Sequence, residues 1–295
     1  MRSFGFNVLV LGLALGNMAF GQSSGVSDIR DRIKITLNLY SFNTPLNKGE
    51  ETLESVIDYC SEIGFAAIDA TGYYFKGYPA TPSDEYINRL KYRAFRKGVQ
   101  FAGTGVRNDF TLSDADSLAK EKQLVKDWVV VAAKLGASTL RIFSGNGVPE
   151  GRTWSQTAQQ VALAIDECGE FAKKYGITLA VQNHNDFLRT AADVENLFAL
   201  IKTDAVGLMI DIGSYRTDPY REIEQTIRYA VSWQIKENLY INGVETKTDV
   251  KRVIDILRRH NYHGYVPIET LGSGNERERI GKMFEYIRDA AAASE

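Results

Sequence analysis

Residues 178–182 read T-L-A-V-Q, a short apolar run that ends on the amide of Gln182. Three later runs are similar: G-L-M-I-D ends at Asp211, V-S-W-Q-I-K contains Gln234, and Y-V-P-I-E ends at Glu269. Buried parallel strands are near-continuous apolar runs, so a polar residue at the carboxyl end of such a run indicates a site. In a parallel α/β barrel that end carries the active site. The four runs therefore predict two carboxylates and two amides around one barrel mouth.

Strand-like and helix-like segments alternate from residue 33 to the end of the chain. The predicted strands are Ile33–Tyr40, Ala66–Asp69, Gln100–Thr104, Thr139–Phe143, Thr178–Asn183, Val206–Asp211, Ser232–Lys236 and Tyr265–Glu269. The predicted helices are Thr52–Ile63, Ser83–Lys97, Ser117–Leu135, Trp154–Tyr175, Ala191–Ile201, Pro219–Ala230, Asp249–Arg259 and Glu276–Ala292. Eight strand–helix units favour a single (β/α)8 TIM barrel, a parallel eight-stranded barrel with outer helices, over residues 33–295. The first strand is not followed by G-x-G-x-x-G, which argues against a nucleotide cofactor.

Residues 1–21 have the pattern of a signal peptide. Arg2 precedes an apolar run, and Ala19 and Gly21 are small residues at the expected cleavage site, before Gln22. An uncleaved membrane anchor is the alternative, but the run is shorter than the ~20 residues that a span needs. We therefore expect an exported, periplasmic protein with no membrane attachment after cleavage. Residues 22–32 are predicted to be a flexible lead-in.

The composition is that of a soluble globular protein. The 295 residues are 44% hydrophobic and 24% charged, and 35 basic against 37 acidic residues give a net charge of −2. This balance argues against nucleic acid as a partner. Cys60 and Cys168 are too few for a metal motif and are predicted to be buried free thiols. The sequence carries no information on the oligomeric state.

Side chains two apart on a strand share a direction, which pairs Gln182 with His184 and Gln234 with Lys236. Aromatic rings, arginine guanidinium groups and side-chain amides at the mouth suit a small polyhydroxylated carbohydrate. The candidate substrate-binding residues are Tyr40, Tyr73, Arg107, Asn108, Arg141, Asn146 and Tyr215. Two alternatives stay open: the aromatic residues after strand two simply cover the barrel end, or Arg141 is an ion-pair partner of Asp69 or Asp211.

The blocks V-Q-N-H-N-D, I-D-I-G-S-Y, W-Q-I-K-E and P-I-E-T-L-G resemble the xylose isomerase-like family of barrels, the sugar phosphate isomerases and epimerases. Many of these enzymes hold a divalent metal with Glu, Asp, His and Glu. The resemblance therefore implies metal ligands at Gln182, Asp211, Gln234 and Glu269. Two of these depart from the family, since Gln182 stands in the place of Glu and Gln234 in the place of His.

Four oxygen ligands with two negative charges would suit Mg, Mn or Ca rather than Zn. The alternative is that the ammonium of Lys236 lies between Asp211 and Glu269, in which case a metal is unnecessary. The family implies a sugar or keto-sugar isomerase or epimerase that removes a proton next to a carbonyl. Glu269 is then the candidate base, with Lys236 and His184 as electrophile or acid. A lyase or hydratase acting on 3-keto-sugars and a non-catalytic carbohydrate-binding barrel are the competing hypotheses.

Overall fold

A computed structural model describes residues 28–184, 186–272 and 274–293. The predicted signal peptide, residues 1–21, lies outside the described residues. The last four residues of the predicted lead-in, Ile29–Arg32, form a short helix, α1. This helix contacts the first strand and the last helix, and it buries Ile29 and Arg32.

Eight parallel strands close into one barrel, which confirms the predicted (β/α)8 fold. They are β1 Ile33–Asn38, β2 Ala67–Thr71, β3 Gln100–Gly105, β4 Thr139–Phe143, β5 Thr178–Gln182, β6 Val206–Asp211, β7 Ala230–Lys236 and, after a hairpin of two strands, β10 Gly264–Glu269. The order around the barrel is β1-β10-β7-β6-β5-β4-β3-β2. This order follows the chain, so consecutive barrel strands are neighbours and all their carboxyl ends meet at one mouth.

Helices surround the barrel and bury their apolar faces against it. After α1 they are α2 Asn43–Lys48, α3 Leu53–Ile63, α4 Asp84–Arg96, α5 Ala115–Leu135, α6 Trp154–Lys173, α7 Ala191–Phe198, α8 Pro219–Thr226, α9 Val250–Arg259 and α10 Glu276–Ala292. Helices α3 and α5 end at Gly64 and Gly136, whose φ angles of 99° and 78° close the last turn in the left-handed region. Cys60 and Cys168 are buried and unpaired, as predicted. Within the described part of the chain, no helix is long and apolar enough to cross a membrane.

Strand β1 ends earlier than predicted, and a proline changes the pairing of β10. Strand β1 ends at Asn38 because the Asn38 side chain accepts a hydrogen bond from the Tyr40 amide, which starts a 3₁₀ turn over Leu39–Phe42. Pro267 lacks the amide hydrogen that a central strand needs. Strand β10 accommodates it by pairing with β7 only from Ile268 onward.

A β-hairpin that was not predicted follows β7. Its strands are β8 Asn238–Ile241 and β9 Val244–Lys247, which pair in antiparallel register. The turn is Asn242-Gly243, with positive φ angles of 49° and 77° at its two residues. An Asn-Gly pair between strand-forming residues is a strong hairpin signal, so the element was detectable in the sequence. The hairpin lies directly after the strand that carries Gln234 and Lys236.

Candidate functional site

The carboxyl ends of the strands enclose a cleft of about 200 Å³, here called the mouth cleft. It is lined by Asn38, Tyr40, Thr71, Tyr73, Arg107, Arg141, Phe143, Gln182, His184, Gln234, Lys236, Glu269 and Leu271. Both members of each residue pair expected from strand alternation, such as Gln182 with His184, are present in this lining. The cleft therefore brings together residues from seven of the eight barrel strands or from the loops that follow them.

Lys236 joins the two buried carboxylates of the site. Its Nζ lies 3.0 Å from Oδ2 of Asp211 and 3.2 Å from Oε1 of Glu269. The side chains of Asp211 and Glu269 are 1% and 6% exposed, whereas that of Lys236 is 16% exposed and borders the cleft. A buried carboxylate is stable only when it is paired and hydrogen-bonded, so the ammonium compensates both charges.

The two glutamines are part of the same hydrogen-bond network. The Nε2 group of Gln182 donates to Oδ2 of Asp211 at 2.9 Å and to Oε1 of Gln234 at 2.8 Å. The backbone amide and carbonyl of Asp211 bond the side chain of Asn183, at 2.8 and 3.0 Å. Each side chain is thus held in one orientation, with the amide hydrogens of Gln182 directed at the carboxylate.

Burial and the neighbouring charges shift the pKa values of Glu269 and Lys236. Burial raises the pKa of Glu269, and Asp211 raises it further, while the ammonium of Lys236 acts in the opposite direction. For Lys236, burial favours the neutral amine, but the two carboxylates outweigh it and raise the pKa above its usual value. Lys236 is therefore a cation at neutral pH, and Glu269 is a stronger base than an exposed glutamate.

The donor set does not fit the divalent metal that the family resemblance implies. Both carboxylate oxygens of Asp211 already accept protein donors: Oδ1 from the Gly213 amide, and Oδ2 from Gln182 and Lys236. A metal bound to Asp211 and Glu269 would replace the ammonium that contacts both. Gln182 also presents its amide hydrogens to the site, while its Oε1 has no hydrogen-bond partner among the described residues. Nor do three or more His, Cys, Asp or Glu side chains in the described ranges form a group that could hold a metal ion.

A second buried carboxyl, Asp69, lies beneath the mouth cleft on β2. It is 3% exposed, and its Oδ2 is 3.4 Å from the amide nitrogen of Asn38. Burial raises the pKa of Asp69 to about 7, although the charge of Arg141 opposes this shift. In the alternative left open by the sequence, Asp69 or Asp211 would be the ion-pair partner of Arg141. The guanidinium instead donates to the Tyr73 hydroxyl at 2.7 Å and to the Val106 carbonyl at 2.8 Å.

His184 makes a contact that was not predicted from the sequence. Its Nδ1 lies 2.6 Å from Oδ2 of Asp186, and its ring packs edge-on against Phe143 at 5.2 Å. The carboxylate favours the tautomer with the proton on Nδ1, which leaves Nε2 available as an acceptor. Asp186 follows His184 by two residues, so the spacing was visible, but nothing in the sequence indicated that the chain turns back there.

The aromatic residues after β2 occupy two different environments. Tyr73 lines the mouth cleft, and its ring lies 5.2 Å from the Arg141 guanidinium. Phe75 is buried instead and packs edge-on against Trp128 at 5.5 Å. The open alternative that this run covers the barrel end therefore holds for Phe75, whereas Tyr73 forms part of the wall of the mouth cleft.

Three candidate substrate-binding residues do not line the mouth cleft. Asn108 is buried and exchanges hydrogen bonds of 2.7 and 2.9 Å with the backbone of Phe143. Asn146 bonds the side chain of Asp109 at 2.8 Å. Tyr215 is completely buried, and its hydroxyl lies 3.0 Å from that of Thr226. The structure thus places these three side chains as supports of the loops.

Comparison with known families gives one match over most of the chain. The sequence profile of the xylose isomerase-like TIM barrel family matches residues 57–290. This range includes every strand of the barrel except β1, and therefore nearly all of the mouth cleft. None of the curated proteins matches the chain by sequence.

Solved structures share the fold at low sequence identity. D-psicose 3-epimerase from Clostridium cellulolyticum H10, solved with D-tagatose, has a TM-score of 0.71 at 14% identity, over 88% of this chain and 99% of that one. The 3-keto-D-glucoside 4-epimerase of E. coli also has a TM-score of 0.71 at 14% identity, over 88% and 100%. The probable 3-DHS dehydratase of Bacillus anthracis has a TM-score of 0.68 at 15% identity, over 86% and 98%. At such identities the similarity shows a common fold.

Proposed function

The chain belongs to the xylose isomerase-like TIM barrel family, and from this premise we propose that it is an enzyme acting on keto-sugars. The reaction is removal of a proton next to a carbonyl, followed by its return to give an epimer or isomer. The observation that carries the proposal is the Lys236 ammonium between the Asp211 and Glu269 carboxylates, at the edge of a polar cleft. This arrangement supplies a base and a cation where a sugar would bind.

Glu269 is the proposed base. Its carboxylate borders the mouth cleft, and burial raises its pKa, so it accepts a carbon-bound proton more readily than an exposed carboxylate does. The C–H electrons pass into a new C=C bond as the carbonyl becomes an enediolate oxyanion. Return of the proton by Glu269 to the neighbouring carbon gives an isomer, whereas delivery of a solvent proton to the opposite face of the same carbon gives an epimer and leaves the abstracted proton on Glu269 to exchange with solvent.

Lys236 is the proposed electrostatic partner of the oxyanion. Because its pKa is raised, the side chain stays an ammonium at neutral pH and donates hydrogen bonds to developing negative charge. A lysine that forms a Schiff base needs a lowered pKa instead, so the observed environment favours electrostatic stabilisation over covalent catalysis. Asp211 holds the ammonium in position through its 3.0 Å contact.

His184 is the proposed acid and base for the oxygen atoms of the sugar. It borders the mouth cleft from β5, three strands around the barrel from the strand of Glu269. With Nδ1 held by Asp186, the second nitrogen of the ring is free to exchange a proton with a hydroxyl or an enediolate oxygen. Tyr40, Tyr73, Arg107 and Arg141 line the remaining wall and supply aromatic faces and donors for the ring and hydroxyls.

Elimination or addition of water is the second candidate reaction. The amide of Gln182 stands where the family has a carboxylate, so this cleft offers one carboxylate base and one imidazole rather than two carboxylates. A single base with an acid for the leaving hydroxyl suits a dehydratase or hydratase. Mass spectrometry distinguishes the two reactions, because epimerisation and isomerisation preserve the mass whereas elimination removes one water.

The test is exchange of solvent deuterium into 3-keto-D-glucose and D-fructose, followed by NMR. We expect exchange with the unmodified protein and a loss of about 10³-fold in Glu269→Gln. Glu285→Gln, an exposed position on α10, is the matched control and should exchange at the unmodified rate. Sugar binding without exchange or water loss by the unmodified protein would instead indicate a carbohydrate-binding barrel.

We also propose that the protein is exported. The support is the signal-peptide pattern of residues 1–21, which lie outside the described residues. Amino-terminal sequencing of protein from the periplasmic fraction should begin at Gln22. Recovery of the protein only in the cytoplasm, with its first residues intact, would contradict export.

A further inference from the structure

A second cavity continues the mouth cleft past Lys236 and His184. This side lobe has a volume of about 240 Å³ and shares His184, Lys236 and Leu271 with the mouth cleft. The mouth cleft alone, about 200 Å³, has roughly the bulk volume of seven water molecules, which a single hexose fills. The two together offer about 440 Å³, within the usual range of about 300–1,000 Å³ for ligand pockets.

The hairpin β8–β9 builds the outer wall of the side lobe. Its turn is fixed to the loop after β6, because the Asn242 and Gly243 amides donate to the carbonyls of Thr217 and Arg216 at 2.9 and 2.7 Å. Its base is fixed by the Thr248 hydroxyl, which donates to the Lys236 carbonyl at 2.7 Å. The wall is therefore anchored at both ends, which is the rigidity expected of a binding surface.

The side lobe presents an aromatic residue and polar groups. Arg216 lies over the ring of Tyr240 at 3.7 Å, and both line the cavity. The Nε of Arg216 is buried without a hydrogen-bond partner among the described residues. Asn238, which donates to Glu245 at 2.8 Å, completes this face. An aromatic ring edged by amide, carboxylate and guanidinium groups is the usual surface for a sugar ring.

The charge of the side lobe selects against anionic ligands. Four carboxylates line it, against the two cations Arg216 and Lys236. The carboxylates belong to Asp186, Asp211, Glu237 and Glu245. A phosphate or carboxylate group would be repelled by this excess of negative charge, whereas a neutral polyhydroxylated unit would not.

We propose that the side lobe is a subsite for a second, neutral sugar unit, so that the substrate is a two-ring glycoside rather than a free or phosphorylated monosaccharide. The reacting ring occupies the mouth cleft, and the attached ring lies between the hairpin and the loop that carries Asp186. The inference rests on the proposed function for the identity of the reacting ring. Binding of the second ring in the side lobe can be tested even if no reaction is observed.

The experiment compares one-ring with two-ring probes. The probes are 3-keto-D-glucose against 3-ketomaltose and 3-ketocellobiose, measured both by deuterium exchange and by isothermal titration calorimetry. We expect at least one two-ring probe to exceed the one-ring probe by 10-fold or more in affinity and in exchange rate. D-fructose 6-phosphate is the anionic probe and should bind more weakly than D-fructose.

Tyr240→Ala removes the aromatic surface and should reduce the two-ring preference to about one. Tyr240→Phe keeps the ring and should keep most of the preference, and Tyr92→Ala, at an exposed position on α4, should leave the preference unchanged. Equal handling of one-ring and two-ring probes, a preference that survives Tyr240→Ala, or tighter binding of the phosphate would overturn the inference. Preferential two-ring binding without exchange would refute the proposed reaction and leave the subsite standing.

Discussion

Nδ1 of His184 lies 2.6 Å from Oδ2 of Asp186, which fixes the imidazole at the boundary between the mouth cleft and the side lobe. A carboxylate on one ring nitrogen sets the tautomer and leaves the other nitrogen to act on a substrate. Asp186 is thus a positioning residue, which acts on the reaction through His184. The histidine alone was expected from the sequence, but its chemistry depends on this partner.

We expect Asp186→Asn to lower kcat for 3-keto-D-glucose by about 10- to 100-fold with little change in KM, because the imidazole loses its fixed tautomer. The direct readout is the ¹⁵N spectrum of the ring, which is simple because the chain has three histidines. Asp204→Asn, an exposed position, is the control. An unchanged His184 tautomer in Asp186→Asn would show that the contact does not position the ring.

The position of the Lys236 ammonium, between the carboxylates of Asp211 and Glu269, predicts how the site responds to metals. With the ammonium in place, we expect Mg²⁺ or Mn²⁺ to leave the Tm of the unmodified protein unchanged, and EDTA to leave its exchange activity unchanged. Lys236→Ala leaves two buried carboxylates without their cation, which should destabilise the fold by about 3–5 kcal/mol. A divalent ion should then bind Asp211 and Glu269 and raise the Tm of this variant.

The control for the metal response is Lys282→Ala, an exposed position on α10 that pairs with Glu278. Its Tm should not respond to metals. Loss of activity of the unmodified protein in EDTA, or a metal-dependent rise in its Tm, would contradict the lysine-bridged site.

The sequence predicted the barrel well because its signals are local. Eight apolar runs, each followed by a helical pattern, require only neighbouring residues to be recognised. The polar residues that end β5 and β10 line the mouth cleft, whereas Asp211, which ends β6, lines the side lobe. The failures involve contacts between distant residues. Tyr215 looked like a ligand contact in its loop, but the chain buries it against Thr226 in the next helix. The sequence also left open whether a metal or the Lys236 ammonium lies between Asp211 and Glu269, because the answer depends on how β6, β7 and β10 lie side by side.

Gly213 makes room for the Lys236 chain. A methyl group at position 213 would lie 2.9 Å from Cδ and 3.6 Å from Cε of Lys236, so Gly213→Ala should displace the ammonium from its two carboxylates. We expect exchange to fall by about 10- to 100-fold, since a small displacement of a catalytic group has effects of that order. Gly281→Ala is the control, because its methyl group would have only ordinary contacts, at 3.8 Å or more, within α10. Full activity of Gly213→Ala would show that the lysine position is not needed.

Asp69 predicts a loss of stability with rising pH. Its pKa is raised from 3.8 to about 7 because the carboxyl is buried. Between these two values the folded state keeps a proton that the unfolded chain has lost, so the free energy of unfolding falls as the pH rises towards 7. The contribution from about pH 5 to about pH 8 is up to roughly 3 kcal/mol, at about 1.4 kcal/mol for each pH unit.

Asp69→Asn, which cannot ionise, should lack this pH-dependent contribution, and urea unfolding at the two pH values measures it. The exposed Glu285→Gln should retain the slope of the unmodified protein, and an equal slope in Asp69→Asn would show that Asp69 is ionised at neutral pH in the folded state.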